Sequence, residues 1–485
     1  MPYIDFVSKE DRVSLWYTTN THQGGTSDFD PDKPVVVILH PLFLDSTWLT
    51  HQMEDPRLSS RFNLLAFDMR CSGRSNSRPS GAHDAWVDAA DLAFALTALC
   101  IAPAHVFAIE NLSVHAALRL AALFPETCLS LTLVNVPPPT ELEWVFDFYG
   151  ETLNMWCHPQ DLDEFDHALV QITTCFLEKD CTPELRDELI AHWSTLYPPW
   201  RRTRIYEIFH CVLNRTPLPD TVLACITQPT LIIQADKTRV SPVKYAEVLA
   251  QKLVNVEGRA RVHTIKGSPE YVTIVPTCAS IVNRVFSEFV SRQTRSNPPW
   301  TNRYPTVRAR KERMQEALQR LADMMGDQSI ATRDPSCPLS FSCVTPEIFQ
   351  NQSDVLRRQM IDEQNAFSPL GMDGRPCRRF SERQNDHWFQ AEKDDEYYAQ
   401  SKSDLNKEEK IKALENLVTA TELSNSSTKD GDYLSAQEPV SSEVARTGRL
   451  RRSTISKHVV EKATIGDQLT SAAQSIRCSS SGRGC

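Results

Sequence analysis

Val106-Phe107-Ala108-Ile109-Glu110-Asn111-Leu112-Ser113-Val114-His115, continuing into Ala116-Ala117-Leu118-Arg119-Leu120-Ala121-Ala122-Leu123-Phe124-Pro125-Glu126, decides the fold. An unbroken apolar run too short for a helix gives way at Glu110-Asn111 to an Ala/Leu-rich stretch that stops at Pro125, which reads as strand, sharp turn and helix. A strand without polar alternation is buried on both faces, as strands of parallel sheets are.

The same unit repeats on either side. Apolar strands are expected at Val35 to Leu39, Asn63 to Phe67, His105 to Ile109, Leu131 to Asn135, Thr230 to Gln234 and Arg261 to Ile265. Helices fall between them, one through Trp86 to Leu92 and a last one through Phe286 and Phe289. Residues 3–17 alternate weakly, as two short antiparallel edge strands would. The predicted fold is α/β, a doubly wound, mainly parallel sheet over residues 1–292. About ninety residues between the strands at 131–135 and 230–234 hold Trp144, Phe148, Trp156, Phe165, Trp193 and Tyr197 at helical spacing and predict a helical insert near 140–222.

From about Arg295 the chain turns polar and charged, so residues 293–485 are expected to be a mostly disordered tail, because little apolar burial offsets the ordering entropy. Within it, Met314, Leu318, Leu321 and Met324 recur at three- and four-residue steps and predict a helix over 307–325; a second pattern spans 405–423.

The chain has 485 residues and a net charge of −10. That charge argues against a general nucleic-acid binder, since phosphate affinity rests on clustered Lys and Arg. No secretory signal or membrane-length apolar run is visible, so a cytoplasmic location with no integral membrane segment is expected. The 14 cysteines show no paired zinc-type spacing, and no dinucleotide or phosphate loop is present. Neither a metal nor an organic cofactor is therefore expected. The oligomeric state is left open.

Several motifs together resemble the α/β-hydrolase superfamily. His40-Pro41 with Trp48 resembles the H-G stretch carrying an oxyanion-hole amide, with proline for glycine. Asp68-Met69-Arg70-Cys71-Ser72-Gly73-Arg74-Ser75 is similar to D-x-R-G-x-G-x-S, with Cys71 for its first glycine. The strand-turn-helix at 106–125 stands where the family has G-x-S-x-G. The resemblance, to a fungal-type member, implies that the aromatic insert is a cap over the pocket, favouring a small apolar molecule as ligand.

The resemblance also implies a degenerate triad. Two registers compete at the elbow: centring on Ser113 finds neither glycine, whereas counting back from Pro125 puts Asn111 at the nucleophile. Thr238 aligns with the acid and Glu270 with the histidine, while Asp236 lies two residues before Thr238. A shifted relay of Ser113, His40 or His115, and Asp236 or Glu270 stays open. The amides of Leu42 and Leu112 are the implied oxyanion donors, with His40 at the pocket mouth. Three functions follow as expectations. The leading one is an enzyme with a non-standard catalytic set acting on a small apolar ester, lactone or polyketide-like metabolite. The others are a catalytically inactive pseudoenzyme that binds a ligand or partner, and a cofactorless lyase or isomerase.

Overall fold

The strands sort their side chains by parity. Val37, Leu39, Leu65, Phe67, Val106 and Ala108 enter one apolar core, and Val36, Ile38, Leu64, Ala66, Phe107 and Ile109 the other. This is the period of two expected for a sheet covered on both faces. The computed structural model describes residues 2–101, 103–177, 181–293, 307–371, 373–376 and 378–383.

Nine strands form one sheet in the order β1 (Tyr3–Val7), β2 (Arg12–Thr19), β4 (Asn63–Phe67), β3 (Val35–Leu39), β6 (Ala104–Ile109), β7 (Cys128–Val134), β8 (Thr230–Ala235) and β9 (Arg261–Ile265), with β5 (Asn76–Ser77) on β2. Strands β4 through β9 along this path pair in parallel. β2 pairs antiparallel with β1, β4 and β5. The predicted doubly wound, mainly parallel sheet with antiparallel edge strands is what the chain forms, and the order is that of the α/β-hydrolase fold.

Helices Ala85–Ala98 and Asn111–Leu123 cover the first core. Helix Pro276–Ser291 covers the second, where Phe286 stacks on Phe107 at 4.4 Å between centroids. Asp84 caps the first of these helices by accepting from the backbone amides of Trp86 and Val87. Between β7 and β8 the chain forms helices Glu143–Cys157, Leu162–Leu177, Pro183–Leu196 and Arg202–Leu213. No helix of the described residues is long and apolar enough to cross a membrane.

Over residues 307–371 the structure departs from the expected disordered tail. The predicted helix forms as Val307–Met325, but it is no free element. Ala317, Leu318, Leu321 and Ala322 are fully buried in the first core, and Arg313 pairs with Glu126 at 2.8 Å. Phe341 packs near Phe124, and the amide of Cys343 donates to Asp84 at 2.8 Å. Helix Pro346–Asp362 follows, and the Glu363 carboxylate beyond it accepts from the Thr203 amide at 2.8 Å. One narrow apolar stripe per helix suffices when a groove is waiting for it, and the groove is built by residues two hundred positions earlier. A short helical turn, Phe380–Arg383, belongs to a separate unit beginning at Arg378. The predicted helix at 405–423 lies outside the described residues.

Candidate functional site

The turn after β6 is made by two consecutive non-glycine residues with positive φ, Glu110 (φ 63°, ψ 154°) and Asn111 (φ 35°). Such conformations cost about 1–3 kcal/mol each and persist where surrounding structure imposes them. Both side chains are buried. Neither carboxylate oxygen of Glu110, nor Oδ1 of Asn111, finds a hydrogen-bond partner among the described residues. Sequence reasoning passed over Glu110, although a glutamate directly after an apolar strand was a signal.

Ser113 sits in the first turn of the helix, past the strained pair, and its hydroxyl donates to the backbone oxygen of His40 at 2.6 Å. His40 in turn has Nδ1 2.8 Å from the Pro41 oxygen, while Nε2 accepts from the Met69 amide at 3.0 Å. The ring is thus held by backbone on both sides, Nδ1 carrying the proton, with no nitrogen free to take one from a serine. His115 is buried, and burial, with Arg215 and Arg119 nearby, holds its pKa well below the ordinary value. His263 is exposed on β9. Asp236 is exposed too, accepting from the Gly267 amide at 2.6 Å, and stands apart from the buried residues of the elbow. A relay of Ser113, histidine and Asp236 is not assembled. Ser113→Ala is therefore expected to cost about 1 kcal/mol from one lost hydrogen bond and to leave any ester turnover unchanged, as denaturant melts and p-nitrophenyl ester assays of the two proteins would show.

Thr238 and Glu270 do come together. The Thr238 hydroxyl donates to Oε2 of Glu270, Ser241 Oγ donates to Oε1 at 2.7 Å, and the Ser241 amide donates to Thr238 Oγ1 at 3.0 Å. Asn135, at φ 50°, ties this loop to the sheet: Nδ2 donates to the Glu270 backbone oxygen at 2.5 Å and Oδ1 accepts from the Ala235 amide at 2.8 Å. Neither Asn135 nor Ser241 was marked in the sequence, because both lie in loops whose partners are remote in the chain.

Burial raises the pKa of Glu270 to about 7, against the pull of the two hydroxyls, with Glu141 adding to the rise. Glu110 is pushed well above the carboxylate range by burial first and by Glu270 second. A carboxyl whose folded pKa exceeds its unfolded one is protonated in both states at low pH; between the two values only the unfolded state ionises, and folding loses stability. Glu270 thus makes stability fall as pH rises from about 4.5 to about 7, by up to roughly 3 kcal/mol. Chemical denaturation across that range should show the fall, and Glu270→Gln should reduce it to the part that Glu110 contributes; an equal slope in the variant would exclude this assignment.

The loop after β3 is closed from above. Tyr271 Oη donates to the Leu42 backbone oxygen at 2.7 Å, and Trp193 Nε1 donates to the Phe43 oxygen at 3.0 Å. Phe43 lies 5.3 Å from Trp156 and 5.1 Å from Phe209. The cavity left beside His40, Leu42, Leu112 and Ser113 has a volume of about 20 Å³ open to a water-sized molecule. That is room for about one water, far below the several hundred cubic ångströms of a ligand pocket. The aromatic insert thus fills the space at the strand ends.

Cys71, His83 and Glu207, all buried, bring one ligand atom each within 4.8 Å of one another.

No protein-family model and no curated protein matches the chain. Among solved structures it is similar to MGS-M2, an alpha/beta hydrolase enzyme from a Medee basin deep-sea metagenome library (18% identity, TM-score 0.49, covering 60% of this chain and 98% of that one). It is also similar to the enol-lactonase from Burkholderia xenovorans LB400 (16% identity, TM-score 0.47, 60% and 100%) and to an esterase from Exiguobacterium antarcticum (15% identity, TM-score 0.48, 59% and 98%).

Proposed function

We propose that this α/β-hydrolase-fold protein is not a serine hydrolase but a binding member of the fold, whose former catalytic positions have become packed core. The observation that carries this reading is the fate of the polar groups at the elbow. Acyl transfer needs a nucleophile within hydrogen-bond reach of a base. Here the Ser113 proton is given to a backbone carbonyl and both His40 nitrogens are held by main chain. Thr238 and Glu270 bind each other. Asn111, at the turn, is neither a nucleophile nor a base at neutral pH. Backbone donors at Leu42 and Leu112 would lower a barrier by about 3–4 kcal/mol each at most, which does not replace a missing base. The class of ligand that suits this fold is a small apolar molecule, because the side chains over the strand ends, Phe43, Trp156, Tyr197 and Phe209, are aromatic.

Fluorophosphonate labelling with peptide mapping tests the reading directly. No labelled serine and no p-nitrophenyl ester turnover above background are expected; labelling at Ser113, abolished in Ser113→Ala, would overturn it.

A second reading rests on one observation, the unpartnered Glu110 carboxyl with Glu270 near enough to raise its pKa. Buried acids of this kind are what proton transfer at neutral pH uses, as in a cofactorless lyase or isomerase. Solvent-deuterium exchange into enolisable carbonyl compounds, lost in both Glu110→Gln and Glu270→Gln, would favour it over the binding role.

A further inference from the structure

Three parts of the chain that are far apart in sequence meet below the insert. Cys71 follows β4, His83 precedes helix Ala85–Ala98, and Glu207 lies on helix Arg202–Leu213. His83 Nδ1 is 3.1 Å from Glu207 Oε1 and 4.0 Å from Cys71 Sγ, and its Nε2 is 2.9 Å from Asp88 Oδ1. Cys211, one helical turn beyond Glu207, points its thiol the same way, donating to the His83 backbone oxygen at 3.3 Å. Each of these side chains is at most 4% exposed.

We propose that Cys71, His83 and Glu207 bind a divalent transition ion, zinc by the chemistry of the donors, which staples the helical insert to the sheet domain. A thiolate, an imidazole and a carboxylate are a borderline-soft set suited to zinc. With metal–sulfur near 2.3 Å and metal–nitrogen or metal–oxygen near 2.0–2.2 Å, the edges of a tetrahedral site are about 3.3–3.7 Å. The observed 3.1 and 4.0 Å each lie about 0.3 Å or less outside that range, and all three ligand atoms lie within 4.8 Å of one another. The outer contact has the expected form as well. Asp88 Oδ1, 2.9 Å from Nε2 of His83, would accept its proton and leave the Nδ1 lone pair for a metal between Glu207 and Cys71, the arrangement in which a carboxylate orients a ligating histidine. Two such acceptors facing each other at 3.1 Å need a metal ion or a proton between them.

Cys71 supplies the independent argument. It stands at φ 65°, in the region that favours glycine, so its side chain costs conformational energy there. A thiol held at such a position and turned toward His83 is explained by what sulfur does. It is one of two buried cysteines at this cluster, the other being Cys211, and the carboxylates of Asp88 and Glu207 complete the donor-rich surroundings. The alternative cation is a proton, making His83 an imidazolium bridged by Asp88 and Glu207 with the thiols as bystanders.

The two are separated with the full chain, dialysed against zinc or cobalt(II) under reducing conditions and freed of loose metal. The expected result is about one zinc per chain by elemental analysis, a thiolate-to-cobalt charge-transfer band, and a thermal midpoint raised by bound zinc. Cys71→Gly is the decisive variant, since glycine suits this backbone better than cysteine and the fold is retained. It should remove the cobalt band and weaken zinc binding at least tenfold, with Glu207→Gln doing the same. Circular dichroism reports that both variants are folded. Chains with less than about one tenth equivalent of zinc and no band, or a band undiminished in Cys71→Gly, would overturn the proposal and leave the bridged imidazolium.

Discussion

Ending the chain at Gln293 should lower the thermal midpoint by many degrees or leave the protein aggregated, because the groove filled by helix Val307–Met325 would open to water. Leu318 and Leu321 are fully buried in the same core as Val37, Leu65 and Val106. Truncating a buried leucine to alanine costs about 2–5 kcal/mol, from lost transfer energy and the cavity left behind. Leu318→Ala and Leu321→Ala should each fall in that range by urea denaturation, whereas Arg310→Ala, an exposed residue of the same helix, should change stability by less than about 0.5 kcal/mol. A Gln293-terminated chain with an unchanged midpoint would mean that the helix does not dock.

The second large effect is expected at Arg70. Its guanidinium is fully buried, with Nη2 2.9 Å from Asp11 Oδ2 and Nε 2.9 Å from Asp91 Oδ2. Burial raises the pKa of Asp91 to about 6 even with Arg70 drawing it down. Such a triad contributes little net stability relative to an apolar replacement, yet removing one member leaves charges buried without a partner. Arg70→Met should cost about 3–5 kcal/mol. The loss should shrink in mildly acidic solution, where Asp91 of the variant takes up a proton. A triple replacement of Arg70, Asp11 and Asp91 by apolar residues should recover much of it. A pH-independent loss in Arg70→Met would show that packing of the arginine stem, not charge, is what was removed.

The buried strands and their order of appearance were readable because two-sided burial leaves an unbroken apolar run, and the helix Val307–Met325 because its stripe repeats at three and four residues. The elbow was readable as a turn, and its distance to Pro125 pointed at Asn111 ahead of Ser113. Those signals are local: each is carried by neighbours within a few residues, so the sequence by itself determined the α/β architecture and the helical insert. What Asn111, Thr238 and Glu270 do depended on long-range contacts. Only the folded chain sets Thr238 against Glu270 across 32 positions, locks Ser113 onto the His40 carbonyl across 73, and leaves Glu110 buried without a partner. Only the fold fills the pocket with Trp156 and Trp193, docks the helix after 307, and gathers Cys71, His83 and Glu207. Spacing rules detect ligands or partners that share an element. Groups brought together by separate elements leave no periodic trace, because hydrogen bonds, burial and charge act through distance in space and the chain records only distance along itself.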